Sequence, residues 1–328
     1  MTALVTGATG FVGAALVRQL LAEGDRVRIL RRPSSALDLL GDSANEVEHA
    51  IGDVTEPESL APAVVGVEAV YHVAAAVAFG ASARERLRLV NVAGTAHVVD
   101  AALAAGVGRL VHTSSIAALG RGGSGVIDET ATWARSRENT AYAVSKREAE
   151  REVQRGVAEG LDAVIVNPAL VFGPGRAGEG TQAILDRLAA GRMPFAPPGA
   201  TGVVDVEDVA AGLRAVHARG ATGERYVLAA ENLAWTEILS TLADALGVEA
   251  PRRVAPRGLL LAGGALAEAW AALTGSAPTL TRETARTAAA THRYDGSRAT
   301  RELGLVYRPF SATAARIAAS RAEGRRGA

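Results

Sequence analysis

A tyrosine and a lysine, Tyr142 and Lys146, stand four residues apart at the start of a stretch with helical spacing. Residues four apart lie on one face of a helix, so the phenol and the ammonium group can enter the same cleft. A nearby cation favours the charged form of a phenol, so we expect Lys146 to lower the pKa of Tyr142. Such a pair can exchange a proton with a carbonyl or an alcohol group.

A hydroxyl group that could join this pair follows an apolar run. Ser114 and Ser115 come directly after residues 110–113, which we predict to be a strand of the core. In open α/β sheets, ligands bind at the carboxyl ends of the strands. A serine at this edge can therefore hydrogen-bond the reacting oxygen, and either of the two could do so.

A glycine-rich turn lies near the N-terminus, between an apolar run and an Ala- and Leu-rich helical stretch. In this context Gly7 permits a tight turn, and Gly10 lets the backbone approach a pyrophosphate. Gly13 allows the helix to pack closely on the strand. The helix N-terminus adds unpaired N–H groups and the positive end of the helix dipole. We predict dinucleotide contacts from Gly7, Thr9, Gly10, Phe11 and Val12.

The end of the second predicted strand bears on the choice of dinucleotide. An enzyme that prefers NAD usually carries an acidic residue there, which holds the adenosine ribose hydroxyls. This chain carries Arg31 and Arg32 instead, followed by Ser34 and Ser35. Two arginines could bind a 2′-phosphate, although two solvated surface arginines would give the same sequence. The pattern favours NADP(H), with NAD(H) as the alternative.

The elements that would position these residues alternate along the first half of the chain. Short runs rich in Val, Ile and Leu on consecutive positions predict strands that are covered on both faces. Helical stretches separate them, and this alternation is typical of an α/β fold with a doubly wound parallel sheet. The predicted strands are residues 3–6, 27–30, 47–51, 69–73, 110–113 and 163–166, and the predicted helices include 11–23, 87–105 and 142–159.

The pattern changes after Pro168, where glycine and proline become frequent and helical stretches then dominate. We predict a Rossmann domain over residues 1–167 and a smaller, helix-rich substrate-binding lobe over most of residues 168–328. A strand-like run at 203–206 is followed by Asp208, which is placed to cap the next helix. We therefore expect residues 202–220 to return to the first domain.

The composition narrows the classes of partner. Lys plus Arg and Asp plus Glu each number 35, and nothing indicates nucleic acid, so a small-molecule substrate is expected. The chain has no cysteine and no signal-peptide pattern, which predicts a cytoplasmic location. The apolar stretch 258–268 is too short for a membrane span. We expect it to form a buried or pocket-lining helix, with contact to a membrane surface as the alternative.

The histidines do not have the spacing of metal ligands, and we expect no metal site. His72 and His112 fall on predicted core strands. We interpret both as buried side chains whose ring nitrogens are hydrogen-bonded.

Further segments, together with the glycine turn and the Tyr–Lys pair, resemble the extended short-chain dehydrogenase/reductase family, which includes the NAD-dependent epimerases and dehydratases. The matching segments are residues 52–54, 71–75, 91–95, 167–174 and 204–210. The resemblance runs from residue 2 to about residue 245 in the family's order.

The resemblance implies catalytic roles for Ser115, Tyr142 and Lys146, with Lys146 also holding the nicotinamide ribose. Ser115 is preferred over Ser114 because residues 116–120 then fall in register with the family's next segment. The resemblance also implies a homodimer, since helices 87–105 and 142–159 are similar to those of the family's dimer bundle.

The same resemblance implies further contacts with the dinucleotide. Asp53 would hold the adenine amino group, and Asn91 would have a structural or proton-relay role. The remaining residues expected beside the dinucleotide are Val54, Ala74, Ala75, Ala76, Thr113, Pro168 and Val171.

Departures from the family's pattern bear on the reaction. Ser115 is followed by Ile116 and Ala117, where dehydratases of the family carry Asp-Glu. Residues 198–203 offer no cation, whereas sugar-nucleotide enzymes commonly place an arginine there to contact the nucleotide. The arginines after the second strand suit NADPH, the usual reductant. Together these departures favour a reductase.

Residues 168–172 and 223–228 look most similar to dihydroflavonol-reductase-like proteins. Our first interpretation is therefore interconversion of a ketone or aldehyde and an alcohol on a small, largely apolar substrate. The parts of the chain expected to form its pocket carry few polar groups; they are residues 77–81, 118–125 and 172–181 and the C-terminal helices.

Two alternatives stay open. The first is an NAD-dependent sugar-nucleotide epimerase, because the pair Asn167-Pro168 occurs in some epimerases. The second is a non-catalytic dinucleotide-binding regulator. Such regulators commonly lose the tyrosine or the lysine, and both are present here.

Overall fold

The computed structural model describes residues 1–80, 83–121, 125–134, 136, 139–274 and 280–326. Its strands are β1 (Thr2–Thr6), β2 (Arg26–Arg31), β3 (Glu48–Ile51), β4 (Ala69–His72), β5 (Arg109–Thr113), β6 (Ala163–Pro168), β7 (Leu170–Phe172), β8 (Phe195–Ala196), β9 (Ala200–Asp205), β10 (Arg225–Leu228), β11 (Glu231–Ala234) and β12 (Arg253–Val254). Seven of them form a parallel sheet in the order β10-β6-β5-β4-β1-β2-β3. The predicted doubly wound α/β class is confirmed.

Helices cover both faces of this main sheet. In the described residues they are α1 (Phe11–Ala22), α2 (Pro57–Val64), α3 (Arg84–Leu87), α4 (Gly94–Ala105), α5 (Ala141–Ala158), α6 (Gln182–Ala189), α7 (Val206–Arg219), α8 (Trp235–Leu246), α9 (Arg257–Thr274), α10 (Arg282–Ala289), α11 (Ser297–Leu303) and α12 (Phe310–Arg326). One face packs against α1, α7 and α11, and the other against α2, α4 and α5. The central strands are therefore buried on both sides, which explains their uninterrupted apolar runs.

The C-terminal part adds a smaller sheet of β7, β9 and β11 and a separate β8–β12 pair. A third apolar cluster joins this sheet to α6, α8 and α12. The predicted strand at 203–206 exists as β9, but it pairs in the small sheet. The sequence predicts that residues 202–220 return to the first domain. Within this segment, α7 packs on the main sheet, whereas β9 does not join it. The strand that extends the main sheet is β10, and the domain boundary at residue 167 stays a prediction.

The cap of α7 differs from the prediction. Asp205 is the N-cap, and its side chain accepts a hydrogen bond from the N–H of Glu207 at 2.8 Å. Asp208 lies within the first turn instead, where it accepts from the N–H of Arg308 at 2.7 Å and pairs with the guanidinium of the same residue. Either aspartate could cap the helix as far as the sequence shows. In the structure Asp208 instead binds Arg308, which lies one hundred positions further along the chain.

The apolar stretch 258–268 forms a helix, as expected, but it is only partly buried, and a pocket-lining role stays a prediction. It forms part of α9, where Leu259 is 55% exposed and Leu266 is 71% exposed. Within the described part of the chain, no helix is long and apolar enough to cross a membrane.

Gly13 places α1 close to β1, and this contact generates a stability prediction. A Cβ atom on Gly13 would collide with the carbonyl of Gly7 and lie 2.8 Å from the Cα atom of Ala8. We expect Gly13→Ala to lower the free energy of unfolding by about 1–3 kcal/mol, the usual cost of overpacking, in urea denaturation. Gly258→Ala in α9 is the control, because its Cβ atom would meet no atom within 4 Å. Equal stability of the two variants would contradict the assigned contact.

Candidate active site

The glycine turn joins β1 to α1 at the carboxyl edge of the main sheet. Gly7 has a left-handed backbone with φ of +71°, and a Cβ atom there would lie 2.6 Å from the backbone nitrogen of Ala74. Glycine suits both the conformation and the close approach. The N–H of Gly10, the residue before α1, donates to the carbonyl of Gly7 at 3.0 Å. The turn therefore places the end of β1, the start of α1 and the loop after β4 side by side.

The first turn of α1 is suited to an anion. It begins with Phe11 and Val12, and it contains no acidic residue and no side-chain cap from the described residues. The first N–H groups of a helix have no partner within the helix, and the dipole favours negative charge beside them. Thr9 is half-buried in the turn, and the ring of Phe11 packs against Gly175. This cradle of glycine backbone and free helix N–H groups fits a dinucleotide pyrophosphate.

The loop after β4 is fixed by a buried asparagine. Asn91 accepts from the N–H of Ala76 at 2.7 Å and donates through Nδ2 to its carbonyl at 3.0 Å. The same Nδ2 donates to the hydroxyl of Ser145 in α5 at 2.9 Å. Asn91 lies in a π-helical turn, Arg88–Ala93, and is 1% exposed, while Ala75 in the loop is exposed. The structural role implied for Asn91 is therefore to hold this loop against α5.

A second chain of hydrogen bonds runs from β1 to Asn91. The hydroxyl of Thr6 donates to Nδ1 of His72 at 2.7 Å, Nε2 donates to Thr95 at 3.0 Å, and Thr95 donates to the carbonyl of Asn91 at 2.6 Å. Burial lowers the pKa of His72 to about 3, so the ring is neutral and hydrogen-bonded, as predicted. His112 is also buried, but neither ring nitrogen has a partner among the described residues, so that half of its prediction is wrong.

The two arginines at the end of β2, where the sequence predicts the adenosine part of the dinucleotide, differ in their surroundings. Arg31 donates through Nε to Nδ1 of His49 at 2.8 Å, which ties it to β3. Arg32 is 63% exposed, and one guanidinium nitrogen lies 3.9 Å from a carboxylate oxygen of Asp53. The other carboxylate oxygen of Asp53 accepts from the N–H and the hydroxyl of Thr55, both at 2.9 Å. Arg32 is thus the more accessible cation beside Asp53.

The remaining predicted cofactor residues lie around the same edge. Val54 is buried, and its side chain packs against Gly94 at the start of α4. Pro168 is the last residue of β6, and Val171 is half-buried in β7. Of the segments predicted to form the substrate pocket, residues 81 and 122–124 lie outside the described residues.

Lys146 is a buried cation at the end of β5. Its side chain is 1% exposed, and Nζ donates to the carbonyl of Thr113 at 2.7 Å. Burial lowers the pKa of Lys146 to about 8, and the negative charge of Glu150 opposes this shift. The lysine therefore changes charge within the range of ordinary assay buffers.

Tyr142 lies in the first turn of α5, which begins after the N-cap Thr140. The ring centroid of Tyr142 lies 6.1 Å from that of Phe79. Burial raises the pKa of Tyr142, while the hydrogen bond with Ser115 lowers it less strongly. The expectation that Lys146 lowers this pKa is wrong, because the dominant influence is desolvation of the phenol.

The two serines after β5 face different partners. Ser114 donates to a carboxylate oxygen of Glu150 at 2.7 Å and is buried. Ser115 is half-buried and contacts Tyr142, so it is the serine that shares the cleft with the phenol. The structure brings Ser115, Tyr142 and Lys146 to one edge of the sheet, as the sequence predicts.

Glu150 is a residue of this site that the sequence analysis missed. It is 0% exposed, and Asn167 donates to the same carboxylate oxygen as Ser114, at 2.6 Å. The second carboxylate oxygen lies 3.3 Å from Arg147 and 3.5 Å from Arg225. The signal was its spacing, four residues after Lys146 and eight after Tyr142, which puts all three on one face of α5.

Asn167 serves the same network. Its Nδ2 also donates to the carbonyl of Ser115 at 2.9 Å. Among the described residues, no group of three or more His, Asp or Glu side chains is placed to hold a metal ion.

Comparison with known proteins agrees with this arrangement. The model of the NAD dependent epimerase/dehydratase family matches residues 3–229, which carry the glycine turn, the Tyr–Lys pair and the main sheet. The chain belongs to this family. It is an NAD(P)-dependent oxidoreductase of the extended short-chain dehydrogenase/reductase type.

Two relatives match nearly the whole chain. A sterol demethylase protein B from Methylococcus capsulatus is 38% identical over 96% of both chains. A putative dihydroflavonol 4-reductase from Synechocystis is 36% identical over 92% of this chain and 89% of its own. Among solved structures, DesIV, a dTDP-glucose 4,6-dehydratase from Streptomyces venezuelae with NAD and TYD bound, has a TM-score of 0.79 and 26% identity, over 100% of this chain and 98% of DesIV.

The buried carboxylate generates a pH prediction. Lys146 is protonated below its pKa, and the charge of Glu150 raises that pKa. Glu150→Gln removes this charge, so the alkaline limb of kcat/KM, on which Lys146 loses its proton, should move to lower pH. The side chains facing Glu150 are Arg147, Arg225, Ser114 and Asn167, and the glutamine can retain one of their hydrogen bonds.

Glu148→Gln is the matched control, since Glu148 is exposed on the same helix. It should leave the pH profile unchanged. If Glu150→Gln lowered kcat/KM equally at every pH, Glu150 would act on folding alone and not on the charge of Lys146.

Proposed function

We propose that the chain is an NADP(H)-dependent reductase that interconverts a ketone or aldehyde and an alcohol on a small, largely apolar substrate. The observation that carries the proposal is the placement of Ser115, directly after β5, and Tyr142, in the first turn of α5, at the sheet edge where Lys146 donates to the carbonyl of Thr113. Two hydroxyl groups at this position can both reach one substrate oxygen.

The roles follow from the hydrogen bonds and the charges. When NADPH is bound, its nicotinamide supplies the hydride to the carbonyl carbon. Tyr142 donates its proton to the carbonyl oxygen, and Ser115 orients that oxygen through a hydrogen bond. The raised pKa keeps Tyr142 protonated at neutral pH, which is the form needed for donation. Lys146, held by the carbonyl of Thr113, would hold the nicotinamide ribose.

Several observations support reduction over the other reactions of the family. Ser115 is followed by Ile116, which is 7% exposed, so no acid–base pair stands where a dehydratase would need one. The relative named a putative dihydroflavonol 4-reductase matches most of the chain. The name of the Methylococcus relative refers to sterols, which are largely apolar molecules.

A sugar-nucleotide epimerase is the alternative. The sequence feature that favours it is Asn167, which precedes Pro168 as in some epimerases. The amide nitrogen of this residue donates to Glu150 and to the carbonyl of Ser115, and the residue is 0% exposed. These contacts give Asn167 a structural reason to be present. The homodimer and the cytoplasmic location stay predictions.

Removal of the Tyr142 hydroxyl tests the reaction. Tyr142→Phe keeps the ring but cannot donate a proton, so we expect kcat/KM for an accepted carbonyl substrate to fall about 100- to 10,000-fold. The measurement is NADPH oxidation across a panel of ketones and aldehydes. Tyr307→Phe is the control, because the Tyr307 hydroxyl lies 3.3 Å from the carbonyl of Gly296, in the C-terminal part. Unchanged turnover in Tyr142→Phe would rule out the proposed chemistry.

The choice of dinucleotide depends on Arg32. Loss of a charge-assisted contact with the 2′-phosphate in Arg32→Ala should weaken NADPH binding by about tenfold or more and leave NADH binding nearly unchanged. Arg31→Ala should have a smaller effect, because Arg31 already donates to His49. Titration by dinucleotide fluorescence measures both affinities. Preferential binding of NADH by the unmodified protein would refute the assignment.

A further inference from the structure

One face of α9 is apolar and exposed along its whole described length. Leu259 is 55% exposed, Leu266 71%, Trp270 67% and Leu273 83%. These positions follow a spacing of seven, four and three residues, so they form one stripe on the helix. Large apolar side chains seldom stay this exposed together unless a partner covers them.

The opposite side of α9 is fastened to the protein. Gly264 is buried against the carbonyl of Thr281, where a Cβ atom would lie 2.8 Å from that oxygen. Glu268, the one acidic residue of the helix, accepts from the N–H of Arg282 at 2.8 Å and pairs with its guanidinium. The acidic group is therefore engaged with α10, and the stripe itself carries no charge.

Basic residues flank one end of the stripe. Arg257 begins α9, and Arg253 lies in β12 directly before it; both are exposed. Beside them, Val254 is 49% exposed and Phe195, in the paired strand β8, is 38% exposed. An apolar face with tryptophan on it and arginines at its border matches the depth profile of a lipid surface, in which anionic headgroups lie above the acyl chains.

We propose that the α9 stripe is a membrane-docking surface that places the helix in the plane of an anionic bilayer surface. The helix is too short and too firmly attached to α10 to cross the bilayer, and shallow burial of its four large side chains requires no spanning segment. A second copy of the chain fits less well. A standard protein interface involves about 20–30 residues on each side, and the stripe is one face of a single helix.

The position of the stripe gives docking a consequence for the site. In α10, which packs against α9, Glu283 accepts from the N–H of Gly80 at 3.0 Å and from the N–H of Ala141 at 3.3 Å. Ala141 is the residue before Tyr142, and Gly80 follows Phe79, whose ring faces that tyrosine. Docking through α9 would hold this edge of the site near the lipid. An apolar substrate dissolved in the bilayer could then enter there, a consequence that rests on the proposed function.

Sedimentation with vesicles tests the docking without any turnover. The full chain is mixed with vesicles of phosphatidylcholine alone or with phosphatidylglycerol added. We expect sedimentation with the anionic vesicles, and an approximately tenfold or greater loss of binding for Leu266→Asp and Leu273→Asp. Val306→Asp is the matched control, because Val306 is 82% exposed outside α9, and it should bind like the unmodified protein. Equal binding by all of these variants, or no binding at all, overturns the proposal.

Tryptophan fluorescence supplies a second readout. In the double variant Trp133→Phe/Trp235→Phe, Trp270 is the remaining tryptophan, and its emission should shift to shorter wavelength on addition of anionic vesicles. A shift that follows protein concentration instead, with a dimer that Leu266→Asp abolishes, would assign the stripe to a second copy. Turnover of a water-soluble carbonyl by Leu266→Asp separates the two proposals, since loss of docking leaves that activity intact.

Discussion

A buried ammonium group needs a partner, and Lys146 has one in the carbonyl of Thr113 at the end of β5, while the negative charge of Glu150 also favours its charged form. An unpaired charge in this position would cost several kcal/mol. The carbonyl of Thr113 accepts from Nζ at 2.7 Å, and Glu150 is itself held by Ser114 and Asn167. The hydrogen bonds of Lys146 and Glu150, both in α5, thus join this helix to the carboxyl ends of β5 and β6.

The glycine turn depends on a different constraint, the close approach of three backbone segments. Gly7 touches the backbone of Ala74, and Gly13 touches the carbonyl of Gly7. The loop after Ala74 is then fixed by Asn91, which also contacts Ser145 in α5. One buried amide therefore joins the loop beside the predicted dinucleotide cradle to α5, the helix that carries Tyr142 and Lys146.

Sequence patterns predicted those parts of the structure that local rules determine. Runs of consecutive apolar residues predicted the central strands because both faces are covered, and the spacing of Tyr142 and Lys146 predicted a shared helix face. Contacts between distant residues were not readable. The sequence predicts Asp208 as a helix cap, but in the structure this residue accepts a hydrogen bond from the N–H of Arg308. The apolar sequence of α9 is compatible with either a buried or an exposed helix. The packing of α10 against one side of α9 shows that the other side is exposed to solvent.

Burial favours the uncharged form of both Tyr142 and Lys146. It raises the pKa of the Tyr142 phenol and lowers that of the Lys146 ammonium group, because each shift favours the uncharged form. The charge of Glu150 keeps the lysine pKa from falling further, whereas Ser115 opposes the rise of the tyrosine pKa. A phenol that holds its proton at neutral pH is a donor rather than a base. Burial therefore leaves the phenol in the protonated form that a proton donor needs, and the charge of Glu150 favours the charged form of Lys146 at the same edge of the sheet.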